Sequence, residues 1–314
     1  HMTYLLSKPS SALISEAKIP GDKSISHRAI MFGAIAKGQT RIEGILEGDD
    51  VLATLSAFEL MGVVVDRPSA GVVIIEGVGK YGLSEPGRPL DLGNSGTSMR
   101  LLSGLLAGQR FDTVLTGDES LKSRPMGRVI EPLSKMGADI ESQDNRAPLI
   151  ISGCSELQGI KYVLPVASAQ VKSAVMLAGL YALGETLIVE PVASRDHTER
   201  MLDAFSRKSS RGSKALRISG DAELVGQAVR VPSDISSAAF FIVAACLLSG
   251  SELVLKQIGV NPTRDAVLRI LMQMGAKISR SDVQDFTNEP VCDLVVHSSE
   301  LHGIDISIQD VAGA

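Results

Sequence analysis

The chain has 314 residues, 44% of them hydrophobic and 21% charged, the composition of a soluble globular protein long enough for two domains. Its 31 basic and 36 acidic residues leave a net charge of -5, which argues against general nucleic-acid binding and requires any anion site to be a local cluster. The longest apolar run, Ala238 to Leu248, is about half of the ~20 residues a bilayer span needs, so it reads as a buried helix and no membrane segment is expected.

In chain order, His1-Met2 reads as an expression scar, and the residues after it lack the basic start, apolar block and small-residue cleavage site of a secretory leader. A cytoplasmic protein is expected. Internal similarity then dominates. Helical segments end in Phe58-Glu59-Leu60-Met61-Gly62, Pro132-Leu133-Ser134-Lys135-Met136-Gly137 and Leu271-Met272-Gln273-Met274-Gly275, with a weaker Met201-Leu202-Asp203-Ala204-Phe205. Alternating strand-like runs follow, such as Val72-Val73-Ile74-Ile75 and Leu149-Ile150-Ile151. A second phrase, Glu156-Leu157-Gln158-Gly159-Ile160, recurs as Glu300-Leu301-His302-Gly303-Ile304 and loosely as Glu223-Leu224-Val225-Gly226. Next come a short strand, a polar turn and a small-residue helix. The turns are Gly21-Asp22-Lys23-Ser24, Gly93-Asn94-Ser95-Gly96-Thr97, Ala167-Ser168-Ala169-Gln170 and Pro232-Ser233-Asp234-Ile235-Ser236. A further strand, as in Thr40 to Gly44 or Thr186 to Glu190, leads to the second helix. Each unit therefore runs β-α-β-α-β-β, with units opening near residues 18, 88, 158 and 226. A fifth is barely begun at Leu301, so the chain is expected to be cut within a unit; a natural C-terminus in a loop is the alternative.

Helix starts carrying Ser, Thr, Asn and Gly present free backbone N–H groups and a positive dipole end, which suits phosphate or carboxylate. Lys23 and Arg28, then Arg100, Lys122, Arg124 and Arg128, then Lys172 and Arg195 lie beside these turns, and are expected to concentrate positive potential in one cleft. Taken singly, each such turn is as readily an ordinary helix cap, and each arginine a solvated surface charge. Recurrence favours the anion site. Lys23, Ser24 and Arg28 are spaced to approach one anion from a helix end and its flank, and Lys23 is the best catalytic candidate, because a lysine can shuttle a proton whereas arginine stays charged. Cys154, Cys246 and Cys292 are an odd, widely spaced set without CxxC or His neighbours, so neither a disulfide framework nor a metal site is expected.

Five ordered runs carry a family resemblance: Pro20-Gly21-Asp22-Lys23-Ser24-Ile25-Ser26-His27-Arg28-Ala29; Leu92-Gly93-Asn94-Ser95-Gly96-Thr97-Ser98-Met99-Arg100; Leu115-Thr116-Gly117-Asp118 with Arg124-Pro125-Met126; Ser168-Ala169-Gln170-Val171-Lys172-Ser173; and Ser194-Arg195-Asp196-His197-Thr198-Glu199-Arg200. In this order they resemble the signature runs of 5-enolpyruvylshikimate-3-phosphate synthases, in the style of the bacterial class II branch, from about residue 8 to the end of the chain. The resemblance implies an α/β fold, an inside-out α/β barrel of two domains built from β-α-β-α-β-β repeats and closing on substrates held between them. Residues 20–234 would form a complete three-repeat domain on the shikimate 3-phosphate side, and residues 1–19 with 235–314 an incomplete second domain. Lys23, Ser24 and Arg28 would hold shikimate 3-phosphate, with Ser168, Gln170 and Ser194 adding contacts to its phosphate and ring. Ala169 stands where other members have a second serine, so only its backbone N–H could serve. Lys23, Gly96 and Arg124 would bind phosphoenolpyruvate, with Asn94 and Gln170 close by.

The implied reaction belongs to the shikimate pathway of aromatic amino-acid biosynthesis: the sugar 5-hydroxyl attacks C2 of phosphoenolpyruvate while C3 is protonated, and phosphate then leaves. No cofactor and no metal are expected, the partners are the two substrates, and a monomer is expected. Gly96 and Thr97 match the glyphosate-sensitive pattern of the family, while Leu101 replaces a common proline. The family's Ile-Asp-Glu-aromatic-Pro and Lys-Glu-Ser-Asp-Arg runs are absent from this sequence. Asp310 is a weak substitute, since matching Leu301 to Gln309 puts the family's Asp beyond Ala314, and the 314-residue chain is expected to be inactive alone. Two other readings are a UDP-N-acetylglucosamine enolpyruvyl transferase, which needs a reactive loop cysteine, and a non-catalytic anion-binding fragment. The basic stretch Ser206 to Lys214 is read as a flexible surface turn, with a phosphate-binding loop as the alternative.

Overall fold

A computed structural model describes residues 8–153, 156–206, 215–307 and 310. Strand β1 (Ile14–Ala17) precedes the first repeat, which is α1 (Lys23–Ile35), β2 (Lys37–Glu43), α2 (Asp49–Leu60), β3 (Val64–Ser69) and β4 (Val72–Val78). The second repeat is β5 (Leu90–Asp91), α3 (Gly96–Ala107), β6 (Thr113–Thr116), α4 (Glu119–Ser123), α5 (Gly127–Lys135), β7 (Ile140–Gln143) and β8 (Arg146–Ile151). The third is β9 (Leu157–Gln158), β10 (Lys161–Val163), α6 (Ala169–Gly179), β11 (Ala182–Leu183), β12 (Glu185–Val189), α7 (His197–Ser206) and β13 (Leu216–Ser219). The fourth is β14 (Ala228–Arg230), α8 (Ile235–Leu247), β15 (Glu252–Gly259), α9 (Ala266–Gln273), β16 (Lys277–Arg280), β17 (Gln284–Phe286) and β18 (Glu289–His297).

The repeat plan read from the sequence is thus present with local departures. The second helix of the second repeat is split into α4 and α5, and Ser206 closes α7 rather than opening a turn. The phrase Glu300 to Ile304, expected to open a fifth unit, forms no strand. The rest of the basic stretch, residues 207–214, lies outside the described residues, as do Cys154 and Val311 to Ala314.

The recurring Met-Gly phrase is a helix stop. Gly62, Gly137 and Gly275 have φ of 88°, 96° and 102°, a left-handed conformation that a Cβ disfavours. In each case the next residue closes a six-residue loop: Val63 N–H donates to Phe58 O at 3.0 Å, Ala138 to Leu133 at 3.0 Å and Ala276 to Leu271 at 2.9 Å. These are Schellman caps, which satisfy carbonyls at the helix end and turn the chain into the following strand.

Two sheets share one strand order. In β14-β2-β4-β3 the outer strand β14 pairs parallel with β2, and in β1-β15-β18-β16 the outer strand β1 pairs parallel with β15. The strand just before α8 therefore completes the sheet of the first repeat, and the strand before α1 completes that of the fourth. Of the described residues, one compact unit accordingly holds those up to Pro20, Pro232–Asp285 and those from Glu289 on, and the other holds those between Gly21 and Val231 with Phe286–Asn288. The larger unit also contains sheets β5-β6-β8-β7, β10-β12-β13 and β9-β11.

In the larger unit, α1, α3 and α6 are buried almost all round, so they form its centre rather than a surface layer. They run parallel. Thr97 meets Gln170 at the starts of α3 and α6, the Gly104 site meets the Ala174 backbone midway, and Gly108 meets Tyr181 at the ends; His27 and Ser98 likewise pair the starts of α1 and α3. In the smaller unit, the stretch expected to be a buried helix needs correction. Ala238, Ile242, Ala245 and Cys246 of α8 are buried against the sheet, but Phe240 is 80% and Leu247 65% exposed. The sheet covers one face of α8, whereas in the larger unit α3 and α6 cover each other and α1 is enclosed by α2, α7 and β4.

The α3–α6 contact is tight enough to test. A Cβ on Gly104 would lie 2.0 Å from Ala174 O and 2.8 Å from its Cα, and backbone cannot swing aside as a side-chain tip can. Gly104→Ala is expected to cost about 1–3 kcal/mol or more, read as a lowered urea midpoint with an unchanged m-value.

Candidate functional site

The polar turns of the first three repeats become the N-terminal ends of α1, α3 and α6. Each is capped by its own side chain: Asp22 accepts from Ile25 N–H at 2.9 Å, Ser95 from Ser98 at 3.1 Å and Ser168 from Val171 at 3.4 Å. Capping satisfies only part of the free N–H set at a helix start. Because the helices are parallel neighbours, their positive dipole ends open at the same end of the unit.

Around the α3 start, Arg100 Nη1 donates to Gly96 O at 3.1 Å and Arg100 Nη2 to Pro125 O at 3.4 Å. Arg124 Nη2 donates to Asn94 Oδ1, and Asn94 Nδ2 donates to Asp118 Oδ2 at 2.8 Å. A Cβ on Gly96 would lie 2.7 Å from Arg100 Nη1 and 2.9 Å from Arg124 Nη1, so the glycine lets two guanidinium groups close over the helix start. Burial and then the neighbouring Arg124 and Arg128 push the Arg100 pKa down. Crowded like charges of this kind are relieved by a bound anion. Arg100, noted in the sequence only as a basic neighbour, belongs to this cluster, and its four-residue spacing from Gly96 is the signal for it.

At the α1 start, Lys23 is half-exposed and forms an ion pair with Asp50. Arg28 is buried: its Nε donates to Thr198 Oγ1 at 2.6 Å, Nη1 to Ser24 O at 2.9 Å and Nη2 to Ser173 Oγ at 3.0 Å. Gln170 Nε2, at the α6 start, donates to Thr97 Oγ1 at 3.2 Å, and Ala169 O accepts from Ser173 Oγ at 2.6 Å. Ser194 donates its hydroxyl to Glu190, whose Oε1 also accepts the Ser194 backbone N–H at 3.3 Å.

The structure thus brings Asn94, Gly96 and Arg124 together, joins Gln170 to the α3 start and joins Arg28 to α6 and α7. Lys23 is partnered by Asp50, and Ser194 by Glu190. Lys172, expected to add positive potential to the cleft, is corrected: its side chain is 1% exposed and is neutralised by Glu190 at 2.9 Å and Glu199 at 2.6 Å. Its place on α6, four residues beyond Ser168, points it inward. Asp310 accepts from Ser307 Oγ at 2.8 Å and Arg269 Nη2 at 3.0 Å, and these bonds, that from Ser307 first, hold its carboxyl below its usual range. Cys246 and Cys292 are buried, and burial pushes both thiols up, away from the thiolate a nucleophile needs. Among the described residues no group of three or more His, Cys, Asp or Glu could hold a metal, and no helix is long and apolar enough to cross a membrane.

The model of the EPSP synthase (3-phosphoshikimate 1-carboxyvinyltransferase) family matches residues 7–313. The chain belongs to the EPSP synthase family. It is 53% identical over 305 residues to the 3-phosphoshikimate 1-carboxyvinyltransferase of Legionella pneumophila strain Philadelphia 1, covering 97% of this chain and 70% of that protein. The corresponding figures for the Alkalilimnicola ehrlichii protein of the same name are 56% over 300 residues, 95% and 67%. The solved EPSP synthase of Acinetobacter baumannii superposes with a TM-score of 0.89 at 49% identity, covering 97% of this chain and 69% of that one. The mixed α/β fold is therefore the enolpyruvyl transferase fold of the EPSP synthases.

Behind these helix starts lies a buried polar relay. His27 Nδ1 is 2.8 Å from Thr54 Oγ1 and 3.3 Å from Ser98 Oγ, Thr54 and Ser98 are 2.5 Å apart, and Ser98 is 2.6 Å from the cap Ser95. It ties α1, α2 and α3 together. Burial, then the Arg28 and Lys23 charges, lower the His27 pKa to about 3, so the folded protein holds a neutral imidazole. The unfolded chain takes up this proton near 6.5, and stability therefore rises with pH between about 3 and 6.5. Compared with His27→Gln, the wild type is expected to lose up to about 1.4 kcal/mol per pH unit as pH falls through that window. Paired denaturant titrations at pH 7, 5.5 and 4.5 check this.

Proposed function

We propose that the N-terminal ends of α1, α3 and α6 form the substrate site for the family's reaction, transfer of the enolpyruvyl group of phosphoenolpyruvate to the 5-hydroxyl of shikimate 3-phosphate. The observation that carries the reading is the closing of the Arg100 and Arg124 guanidinium groups over the start of α3, which the missing Cβ of Gly96 allows, with Arg128 adding a third positive charge to Arg100's surroundings. Both substrates are multiply charged anions, and each needs what a helix start and a guanidinium fork supply.

In this reading Gly96, Arg124 and Lys23 hold phosphoenolpyruvate, with Asn94 and Gln170 beside it. Lys23, which serves both ligands, joins Ser24, Arg28, Ser168, the Ala169 N–H, Gln170 and Ser194 in holding shikimate 3-phosphate. In the addition step the O5–C2 bond forms, O5 gives up its proton and C3 gains one. In the elimination step the C2–O bond to phosphate breaks and C3 loses a proton, restoring the double bond. Cationic groups around the phosphate and carboxylate stabilise the charge redistributed in both steps, and Lys23 is placed as the side chain that can exchange a proton. Asp50, its ion-pair partner, sets where that ammonium rests.

Calorimetric titration of shikimate 3-phosphate into the full chain is the direct test. Wild-type binding that Lys23→Ala or Arg28→Ala weakens by about tenfold or more, about 1.4 kcal/mol, is expected; no binding by folded wild-type protein would overturn the reading. At the α3 end, Gly96→Ala meets only the far ends of two arginines. It is expected to change stability by about 1 kcal/mol or less while weakening phosphoenolpyruvate binding, measured on the same samples.

A further inference from the structure

Among the described residues Lys172 is a fully buried lysine beneath the helix starts, and its ammonium is held by carboxylates rather than turned toward an anion. Lys172 Nζ meets Glu190 Oε2 at 2.9 Å, Glu199 Oε1 at 2.6 Å and the Ser194 carbonyl at 3.4 Å. Lys172 lies on α6, four residues after the cap Ser168; Glu199 lies on α7; Glu190 and Ser194 lie in the segment between β12 and α7. One ammonium group therefore joins three separate stretches of chain. Glu190 then divides its oxygens: Oε2 takes the lysine, and Oε1 takes both the Ser194 hydroxyl and its backbone N–H.

We propose that Lys172 and Glu190 are positioning residues that set the Ser194 hydroxyl at a fixed distance from Ser168 and so shape the sugar-phosphate end of the site. The inference rests on the assignment of Ser168 and Ser194 to shikimate 3-phosphate made above. An exposed loop serine without such an anchor would sample many positions, and ordering it on binding would cost affinity. Burial of Lys172 makes the anchor stiff, because a desolvated ion pair with good geometry is disrupted only at high cost. Glu199 supplies the second carboxylate; its Oε2 is buried without a hydrogen-bond partner among the described residues, and burial pushes its carboxyl up despite the lysine. Lys172 thus contributes no net positive charge to the site.

The test uses shikimate 3-phosphate titrated calorimetrically into the full chain, with thermal melts on the same samples. Glu190→Ala removes the acceptor for Ser194 but leaves the Lys172–Glu199 pair; it is expected to fold and to bind at least about tenfold more weakly. Glu190→Gln keeps one acceptor oxygen for Ser194 but turns its amide N–H groups toward the Lys172 ammonium, which Glu199 still pairs; it is expected to recover part of that loss, an affinity rescue beyond any recovery in the thermal melt. Ser194→Ala is expected to weaken binding as Glu190→Ala does, and the double variant no further than either alone. Wild-type affinity in Glu190→Ala, or additive losses in the double variant, would overturn the proposal. Failure of the wild type itself to bind would instead remove the functional reading on which it rests. Lys172→Met leaves two carboxylates facing each other, so it serves as a stability probe only and the Glu190 variants decide.

Discussion

The polar site of the larger unit depends on one constraint: α1, α3 and α6 are buried nearly all round, α3 and α6 against each other and α1 against α2, α7 and β4. Small residues permit this, with Gly104 set against the Ala174 backbone. Parallel packing has an electrostatic cost, because three positive helix ends are placed side by side. Arg100, Arg124 and Arg128 add to that positive potential. A bound anion offsets both contributions, which is why a site for phosphate and carboxylate belongs at this end.

Behind the helix starts, polar side chains are spent on bracing. The His27, Thr54, Ser98 and Ser95 relay links α1, α2 and α3, Arg28 with Ser173 and Thr198 links α1, α6 and α7, and Lys172 with its two carboxylates links α6 to the segment carrying Ser194. In each, a buried donor finds an acceptor on a different element. Buried polar groups cost least when so paired, and a paired network also holds its members in one geometry. The result is a rigid platform beneath side chains that must meet a small, multiply charged ligand.

The sheets follow a second economy. β14 completes the sheet of β2, β4 and β3, while β1 completes that of β15, β18 and β16. Each repeat needs a parallel strand beside the one that follows its first helix. At α1 and α8 that strand comes from a distant part of the chain, so the two compact units are each closed by a segment remote in sequence.

Much of this was legible in the residues. The Met-Gly phrases marked helix stops because only a residue without Cβ readily takes the left-handed turn at Gly62, Gly137 and Gly275. The Ser- and Gly-bearing turns marked helix starts because capping chemistry is local, and recurrence of both signals gave the repeat and, with the five ordered runs, the EPSP synthase family. Facing direction and pairing were not legible, because they depend on which element packs on which. Lys172 reads as one more cation beside an anion turn until Glu190 and Glu199 close on it. The apolar run of α8 reads as buried until the sheet is seen to cover only one of its faces, leaving Phe240 and Leu247 exposed. Local chemistry determined where helices begin and end and which turns suit an anion; packing between distant segments decided which charges remain available to it, since burial and ion pairing arise only between neighbours that the fold creates.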